Sequence, residues 1–195
     1  MFFFCKMIQN IGKNSRLIRL YDQGGDEMSG AERRLEEWIR SYGNELLRMC
    51  FVLLSDAAQA EDAVQDTFLR AWRGMEQFVG RNGCSEKTWL VKIAVNVCQD
   101  CRRMRWFRHV DLSKSLEDLP PHMVMVAPED RMLMLDILRL PQKEKQVLLL
   151  YYYQGLTLEE TAQTLGMSRS TVHHRLKRAK AMLRDTLAGG DADEK

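Results

Sequence analysis

Residues 156–183, LTLEETAQTLGMSRSTVHHRLKRAKAML, have the pattern of two helices joined by a tight turn. Thr157 and Glu160 have capping-box spacing, in which both side chains bind free backbone N–H groups at the start of a helix. Gly166 follows where a helix end needs a residue that tolerates a left-handed backbone, and Ser168 can cap a second helix. A helix-turn-helix whose second helix is basic predicts binding to DNA.

The second helix of this motif has an apolar and a basic face. The apolar residues recur at helical spacing and form the predicted buried stripe Val172, Leu176, Ala179 and Leu183. Side chains with several hydrogen-bond donors near the start of such a helix can reach base edges, whereas basic side chains elsewhere on the helix can bind DNA phosphates. The predicted DNA-binding residues are Arg169, Ser170, His173, His174, Arg175, Lys177 and Arg178. A solvated basic helix in an ordinary bundle is the alternative, which the two caps, the glycine turn and the stripe disfavour.

The composition of the whole chain indicates a helical protein. Of its 195 residues, 45% are hydrophobic, and the apolar residues are mostly separated by three or four positions. We therefore predict an all-α fold with two small helical domains. The net charge is only +2, but basic residues gather at 87–108 and 169–184 and acidic residues at 56–66. Two separate basic segments predict two contacts with one polyanion.

Cysteine usage and hydropathy bear on location and chemistry. The five cysteines are too few for a disulfide scaffold, and because their number is odd they cannot all be paired. This cysteine usage favours a protein of the reducing cytoplasm. Cys98 and Cys101 form a C-x-x-C, but no second Cys or His pair stands at zinc-ligand spacing. We interpret them as core thiols and predict no metal, cofactor or catalytic site. No apolar run approaches the length of a membrane span, so no direct membrane insertion is expected.

The first 27 residues lack a helical pattern. Residues 23–26, QGGD, can be encoded by codons that contain a strong bacterial ribosome-binding sequence, and Met28 follows at a workable distance. We therefore expect translation to start at Met28, with residues 1–27 a leader without function. Mass spectrometry of the protein from its own cells tests this expectation, and peptides from the leader would contradict it.

Two amphipathic helices are predicted at 32–54 and 56–75, the second capped by Ser55 or Asp56. In the second helix several acidic and amide side chains lie off the apolar face, namely Glu61, Asp62, Gln65 and Asp66. From spacing alone, a solvated surface is the simplest interpretation of these residues. A carboxylate metal site and a docking surface for a basic protein helix are the alternatives.

A loop is predicted at 78–87 and a long helix after it, and together these segments complete a first domain at residues 30–106. Trp89 falls in the apolar stripe of this helix and is therefore predicted to anchor the core rather than to stack on bases. Asn96 carries both a donor and an acceptor beside basic neighbours, so it can pair with a base edge or a phosphate. A solvated asparagine is the alternative.

Prolines mark the boundary between the predicted domains. Pro120, Pro121 and Pro128 preclude a long helix at 107–129, which is predicted to be a flexible linker. Two further short helices lead into the helix-turn-helix and complete a second domain at 130–187. Residues 188–195 are predicted to be a disordered tail.

Three segments in this order resemble the extracytoplasmic-function (ECF) group of bacterial sigma-70 family factors: AEDAVQDTFLRAW, TWLVKIAVNVCQDCRR and LPQKEKQVLLLYYYQGLTLEETAQTLGMSRSTVHHRLKRAKAML. The resemblance implies a sigma-2-like bundle and a sigma-4-like helix-turn-helix domain. It implies a factor that binds core RNA polymerase and directs promoter recognition, DNA melting and transcription initiation, while the polymerase supplies the chemistry. It also implies a cognate anti-sigma factor, which in this family is often membrane-anchored.

Two alternatives to the sigma-factor interpretation remain at this point. A helix-turn-helix repressor or activator would bind DNA without polymerase, but it leaves the acidic helix and the second basic helix unexplained. A metal-dependent nuclease that uses Asp62 and Asp66 is the more distant alternative.

The resemblance also implies roles for individual residues. The acidic helix matches the family's surface for the clamp coiled coil of the polymerase, with Asp62, Gln65, Asp66 and Leu69. The loop at 80–87 and the helix after it match the parts that hold the melted −10 element, with Asn82, Lys87, Lys92, Asn96, Gln99, Arg102 and Arg103. Residues 148–153 lie where the family packs on the polymerase flap tip. The positions that read the −35 element are occupied by His173, His174, Lys177 and Arg178.

Overall fold

The structure is a computed structural model that describes residues 30–78, 85–106 and 131–190. Within these ranges the chain forms seven α-helices and no strand, which confirms the all-α prediction. The N-terminal helices are α1 (Gly30–Leu54), α2 (Ala57–Gly74) and α3 (Glu86–Trp106). The C-terminal helices are α4 (Arg131–Arg139), α5 (Gln142–Leu148), α6 (Leu158–Leu165) and α7 (Arg169–Gly190). A 3-10 turn (Met75–Gln77) follows α2, and a π-helical turn (Leu149–Tyr153) follows α5.

Several predicted segments lie outside the described residues. These are the leader at 1–27 with its proposed start at Met28, the linker at 107–129, and most of the predicted loop, including Asn82. The disordered tail was predicted to begin too early, because α7 continues to Gly190.

The turn between α1 and α2 is short because two polar residues end one helix and begin the next. Ser55 adopts a left-handed backbone with φ of 54°, and its N–H donates to the carbonyl of Phe51 at 2.7 Å. The Asp56 Oδ1 atom then accepts the N–H of Gln59 at 3.0 Å and caps α2. This turn makes α1 and α2 neighbours along the chain and in space.

The start of α3 differs from the prediction. The loop was predicted to extend to residue 87, but α3 begins at Glu86 because Ser85 Oγ accepts the N–H of Thr88 at 3.1 Å. The Glu86 carboxylate then joins α3 to α1, since it accepts from Trp38 Nε1 at 2.7 Å and from Arg34 Nε at 2.9 Å. Burial raises the pKa of Glu86, but these two hydrogen bonds outweigh burial and leave it below the ordinary value.

The first three helices enclose an apolar core in which Leu46, Phe68 and Leu90 are fully buried. Trp89 extends this core, as predicted. Its ring is stacked on Phe78 with centroids 4.6 Å apart and meets Trp38 edge-on at 5.6 Å. Trp89 is only partly buried because it lies at the rim of the core.

The C-terminal helices pack against the N-terminal bundle. Leu149, Leu150 and Leu156 belong to the same apolar cluster as the core of α1–α3. Sequence spacing predicted two separate cores. The structure keeps separate apolar clusters in the C-terminal half, one with Val147 and Val172 and one with Leu148 and Ala179, and it adds Leu149 and Leu150 to the cluster of α1–α3. One helical turn can face several clusters because the consecutive residues 147–150 are all buried.

Candidate nucleic-acid and polymerase interfaces

The helix-turn-helix has the caps that the sequence predicted. Thr157 Oγ1 accepts the N–H of Glu160 at 3.2 Å, and Glu160 Oε2 accepts the N–H of Thr157 at 2.9 Å. Gly166 ends α6 with φ of 63° and ψ of 40°, a left-handed conformation that glycine adopts without strain. Ser168 Oγ then accepts the N–H of Thr171 at 3.2 Å and begins α7. These contacts fix the angle at which α7 leaves the motif.

Glu160→Gln is expected to destabilise the helix-turn-helix at neutral pH and to flatten its stability between pH 7 and pH 3. The backbone N–H and the hydroxyl of Thr157 lower the pKa of Glu160 from its ordinary 4.5; burial opposes this, and the hydroxyl of Thr88 lowers the pKa further. A lowered carboxylate pKa stabilises the fold above pH 4.5, and that stabilisation is lost as the pH falls through the folded value. Thermal unfolding followed by circular dichroism measures both effects.

Glu159→Gln is the matched control for this prediction. Glu159 is exposed in the same helical turn and, among the residues that the structure describes, accepts only from Gln163 Nε2, at 3.2 Å. Equal losses of melting temperature at pH 7 for the two variants would contradict the proposed role of the Glu160 carboxylate.

The buried stripe of α7 faces the rest of the domain, as predicted. Val172, Leu176 and Ala179 are buried, and Leu183, the fourth predicted residue, is partly buried. Because successive residues of a helix are about 100° apart, Ser170, His174 and Lys177 lie opposite this stripe. The exposed predicted residues are Arg169, Ser170, His173, His174, Lys177 and Arg178. The structure therefore presents most of the predicted −35 contacts on one outward surface.

Three of the predicted −35 residues have surroundings that the sequence pattern did not indicate. Arg175 is partly buried rather than fully exposed. Ser170 Oγ lies 2.9 Å from Ser168 Oγ, so its hydroxyl shares in the cap of α7. Arg178 Nη1 lies 3.7 Å from Oε1 of the buried Glu144, a loose ion pair between α7 and α5.

The polar face of α3 brings together four of the predicted −10 residues. Lys92, Asn96 and Arg103 are exposed, and Gln99 is partly exposed between them. Their spacings of three and four residues place them in one row along the helix. Arg103 is 78% exposed and lies 3.7 Å from Asp100, a pair too loose to hold its guanidinium in place.

Two other predicted −10 residues are bonded within the N-terminal bundle. Lys87 Nζ contacts Oε1 of Glu45 at 2.8 Å, and Arg102 Nη1 donates to the carbonyl of Leu53 at 3.4 Å. The structure does not bring them into the row on α3. Their partners are distant in sequence, which is why spacing along the helix did not reveal them.

The predicted polymerase-binding residues form a stripe along α2. Asp62 is exposed, while Gln65, Asp66 and Leu69 are partly buried. Asp66 Oδ2 is paired with Arg70 Nη2 at 2.8 Å, and Leu69 packs against the edge of the core. Among the described residues no group of three or more His, Cys, Asp and Glu could hold a metal ion.

The predicted flap-tip segment, residues 148–153, divides into a buried and an exposed part. Leu148, Leu149 and Leu150 are buried, whereas Tyr152 and Tyr153 are 50% and 38% exposed. The ammonium of Lys180 lies 4.9 Å from the ring centroid of Tyr152, a cation–π contact that orients this ring. The sequence indicated the segment but did not separate these two parts.

The cysteines of the described chain have the environment of core thiols. Cys50 and Cys98 are buried and Cys101 is partly buried, all as free thiols. A hydrogen bond with Cys98, followed by burial, raises the pKa of Cys50 well above its ordinary value. Because the thiolate is the reactive form, this environment disfavours redox or metal chemistry at Cys50.

No described helix is both long enough and apolar enough to span a membrane.

Comparison with known proteins agrees with this architecture. Residues 38–108 match the family model for Sigma-70 region 2, and residues 137–185 match the model for Sigma-70, region 4. The chain is 39% identical over 169 residues to the ECF RNA polymerase sigma factor SigL of Mycobacterium tuberculosis, which covers 82% of this chain and 94% of SigL. The chain belongs to the ECF group of the sigma-70 family.

Two further known proteins are similar to this sigma factor, one in sequence and one in fold. A probable RNA polymerase sigma factor, RfaY of Xanthomonas campestris, is 29% identical over 182 residues, but the alignment spans only 44% of that longer protein and 84% of this chain. The sigma factor RpoE of Bartonella quintana, solved in complex with the anti-sigma factor NepR, has the same fold. It gives a TM-score of 0.59 at 24% identity, covering 78% of this chain and 98% of RpoE.

Family membership confirms the function inferred from the sequence. The ECF sigma factor binds core RNA polymerase and directs it to promoters for transcription initiation, and the repressor or activator alternative is not favoured. The region 2 match contains α2, α3 and most of α1. The region 4 match contains α5, α6 and most of α7.

Proposed function

We propose that this sigma factor binds core polymerase through α2 and reads its promoter with α3 and α7. The observation that carries the proposal is that exposed polar or basic rows occur on α3 and α7, two helices in separate matched regions, while α2 carries an acidic stripe. Each row alone has few contacts. The polymerase fixes the distance between the two DNA-binding helices, so once one helix is bound, binding of the other is effectively intramolecular. Two contacts that are weak by themselves can then select a promoter together.

The stripe on α2 is suited to a basic helix of the polymerase clamp. Asp62 and Asp66 supply negative charge, Gln65 a hydrogen-bonding amide and Leu69 an apolar side chain at the edge of the core. Complementary charge at such a surface accelerates association and fixes the register of the partner. Tyr152 and Tyr153 form the second polymerase contact, at the flap tip.

The row on α3 is proposed to hold the melted −10 element. Lys92 and Arg103 can bind phosphates, while Asn96 and Gln99 carry both donors and acceptors for a base edge. Capture of an unstacked base contributes about 1–3 kcal/mol of binding free energy, which offsets part of the cost of opening the duplex. Asn82 belongs to the predicted loop that holds a flipped base. Lys87 and Arg102 join this surface when DNA is bound. Lys87 then leaves Glu45, and Arg102 leaves the Leu53 carbonyl, to bind phosphates.

The exposed face of α7 is proposed to read the −35 element in the major groove. His174, opposite the buried stripe, is the central base-reading residue, with His173 and Lys177 beside it. Arg175 and Arg169 contact phosphates. Arg178 also lies within ion-pair distance of Glu144 on α5.

The proposal includes a regulator and a location. The factor supplies recognition and strand capture, and the polymerase supplies all catalysis, so no catalytic group or cofactor is assigned to this chain. A cognate anti-sigma factor is proposed by analogy with the Bartonella quintana complex. A membrane anchor on that regulator is proposed from the family resemblance alone. The factor acts in the cytoplasm, where free thiols are stable.

A gel-shift experiment with and without core polymerase tests this function. The expected result is that the protein with core enzyme retards promoter fragments that neither component retards alone at the same concentration. A protein that retards a palindromic operator by itself, with no effect of core enzyme, would overturn the proposal in favour of a dimeric repressor or activator.

A further inference from the structure

An acidic side chain lies at the edge of the proposed DNA-binding row of α3. Asp100 is four residues after Asn96 and three before Arg103, so it lies beside both of these proposed DNA contacts. Its side chain is 47% exposed. A free carboxylate at this position would repel the phosphates of a bound strand. The row can therefore bind DNA well only if the charge of Asp100 is offset.

The neighbouring helix supplies the offsetting cation. Arg70, on α2, places Nη1 at 3.3 Å from Oδ2 of Asp100. Its Nη2 atom lies 2.8 Å from Oδ2 of Asp66, one turn earlier on α2. A guanidinium presents its donors in a planar fork, so one arginine can contact two carboxylates at once. Asp66 thus holds Arg70 in the position from which it reaches across to α3.

The two oxygens of Asp100 face two different arginines. Arg70 Nη1 donates a hydrogen bond to Oδ2, at 3.3 Å, whereas Arg103 Nη1 lies 3.7 Å from Oδ1, beyond hydrogen-bonding distance. The side chain of Arg103 is 78% exposed. Because Arg70 makes the closer contact with the carboxylate, Arg103 is held only loosely and remains available to a phosphate.

We infer that Arg70 is a positioning residue for the DNA-binding row of α3, where it neutralises Asp100 and leaves Arg103 free to bind the strand. The inference rests on the proposed function, because it assumes that α3 binds the melted −10 element. Arg70 does not touch DNA in this role. Its effect passes through Asp100, so removal of Asp100 should make Arg70 unnecessary for DNA binding.

Loss of Arg70 is expected to weaken the row in two ways. Asp100 would keep its full negative charge beside the strand, and it would pair with Arg103 without competition from a second arginine. Neither effect requires a change of fold. The side chains of Arg70, Asp66 and Asp100 are 42%, 42% and 47% exposed, and ion pairs at such exposure contribute little to stability.

Binding of labelled single-stranded DNA of random sequence to the full-length protein tests this inference. Fluorescence anisotropy at low salt measures the affinity, and any contribution of α7 is the same in all the variants. Arg70→Gln is expected to bind about three- to fivefold more weakly than the wild type. The slope of log affinity against log salt concentration should be smaller by about 0.7, because Arg103 no longer binds a phosphate.

A second substitution at Asp100 separates the proposed role from other roles of an arginine. Arg70→Gln/Asp100→Asn should regain the affinity and salt slope of the wild type, because the charge that Arg70 offsets is gone. Asp100→Asn alone should bind at least as tightly as the wild type. The matched control is Arg70→Gln/Glu37→Gln, which restores the same net charge at an exposed position of α1 and should remain as weak as Arg70→Gln.

Two results would overturn the inference. One is an Arg70→Gln variant with wild-type affinity. The other is an Arg70→Gln/Asp100→Asn variant that binds as weakly as Arg70→Gln, because Arg70 would then contact the strand itself or only hold α2 against α3. Circular dichroism checks the fold of each variant. If Arg70→Gln loses helical content, the same comparison is made with Arg70→Lys, whose weaker contact with Asp100 should give a smaller loss that Asp100→Asn also reverses.

A separate variant distinguishes failure of this inference from failure of the proposed function. Lys92→Gln/Asn96→Ala removes two exposed members of the row and leaves the contacts of Arg70 in place. It should bind the single strand more weakly than the wild type. Unchanged affinity of this variant would refute the proposed role of α3, whereas the comparison at Arg70 and Asp100 decides the inference itself.

Discussion

Replacing both Asp62 and Asp66 by lysine is expected to lower the affinity of the sigma factor for core RNA polymerase about a hundredfold or more. The substitutions invert the charge of the stripe on α2, and like charges brought together at an interface cost several kcal/mol. The fold should survive, because Asp62 is exposed and the Asp66–Arg70 pair lies at the surface, where such pairs contribute at most about 1 kcal/mol. Titration of the labelled factor with core enzyme measures the loss of affinity.

The double variant Glu37→Lys/Asp185→Lys is the control, because it makes the same change in net charge at two other exposed positions. It should bind core enzyme about as well as the wild type. If the α2 variant keeps wild-type affinity and normal helical content, the assignment of this stripe to the polymerase clamp is wrong.

The second large effect is expected at His174. His174→Ala should cost on the order of 1–3 kcal/mol at the preferred −35 sequence and should flatten discrimination at one base position. An imidazole on the exposed side of α7 can donate to or accept from a base edge, and alanine can do neither. In vitro transcription over a library of −35 sequences measures both the loss and the base position.

Two neighbouring residues provide the comparison. Arg175→Ala should weaken all promoters by similar factors, because phosphate contacts carry no direct sequence information. His173, nearer the edge of the exposed face, should show a smaller effect. A His174→Ala variant that keeps the wild-type preference at every −35 position would rule out direct readout by this residue.

The sequence was most informative where local chemistry decides the structure. The capping box of Thr157 and Glu160 and the left-handed Gly166 lie within ten residues of each other, so spacing alone located the helix-turn-helix. The stripe of α7 followed from helical periodicity in the same way. These predictions succeeded because neighbouring residues determine caps and faces.

The sequence was least informative where distant residues meet. The bonds of Lys87 to Glu45 and of Arg102 to the Leu53 carbonyl join different helices, and periodicity within α3 cannot reveal them. The same limit applies to Leu149 and Leu150. Their burial was predictable from hydropathy, but their contact with α1–α3 was not.

Run-off transcription on genomic fragments tests the central claim, that this chain directs core polymerase to specific promoters through α2, α3 and α7. With core enzyme added, we predict discrete transcripts from a small set of fragments that share −35 and −10 elements, all dependent on the factor. The Asp62→Lys/Asp66→Lys variant should abolish them. Transcription that is unchanged by the factor, or start sites that share no sequence element, would contradict the account.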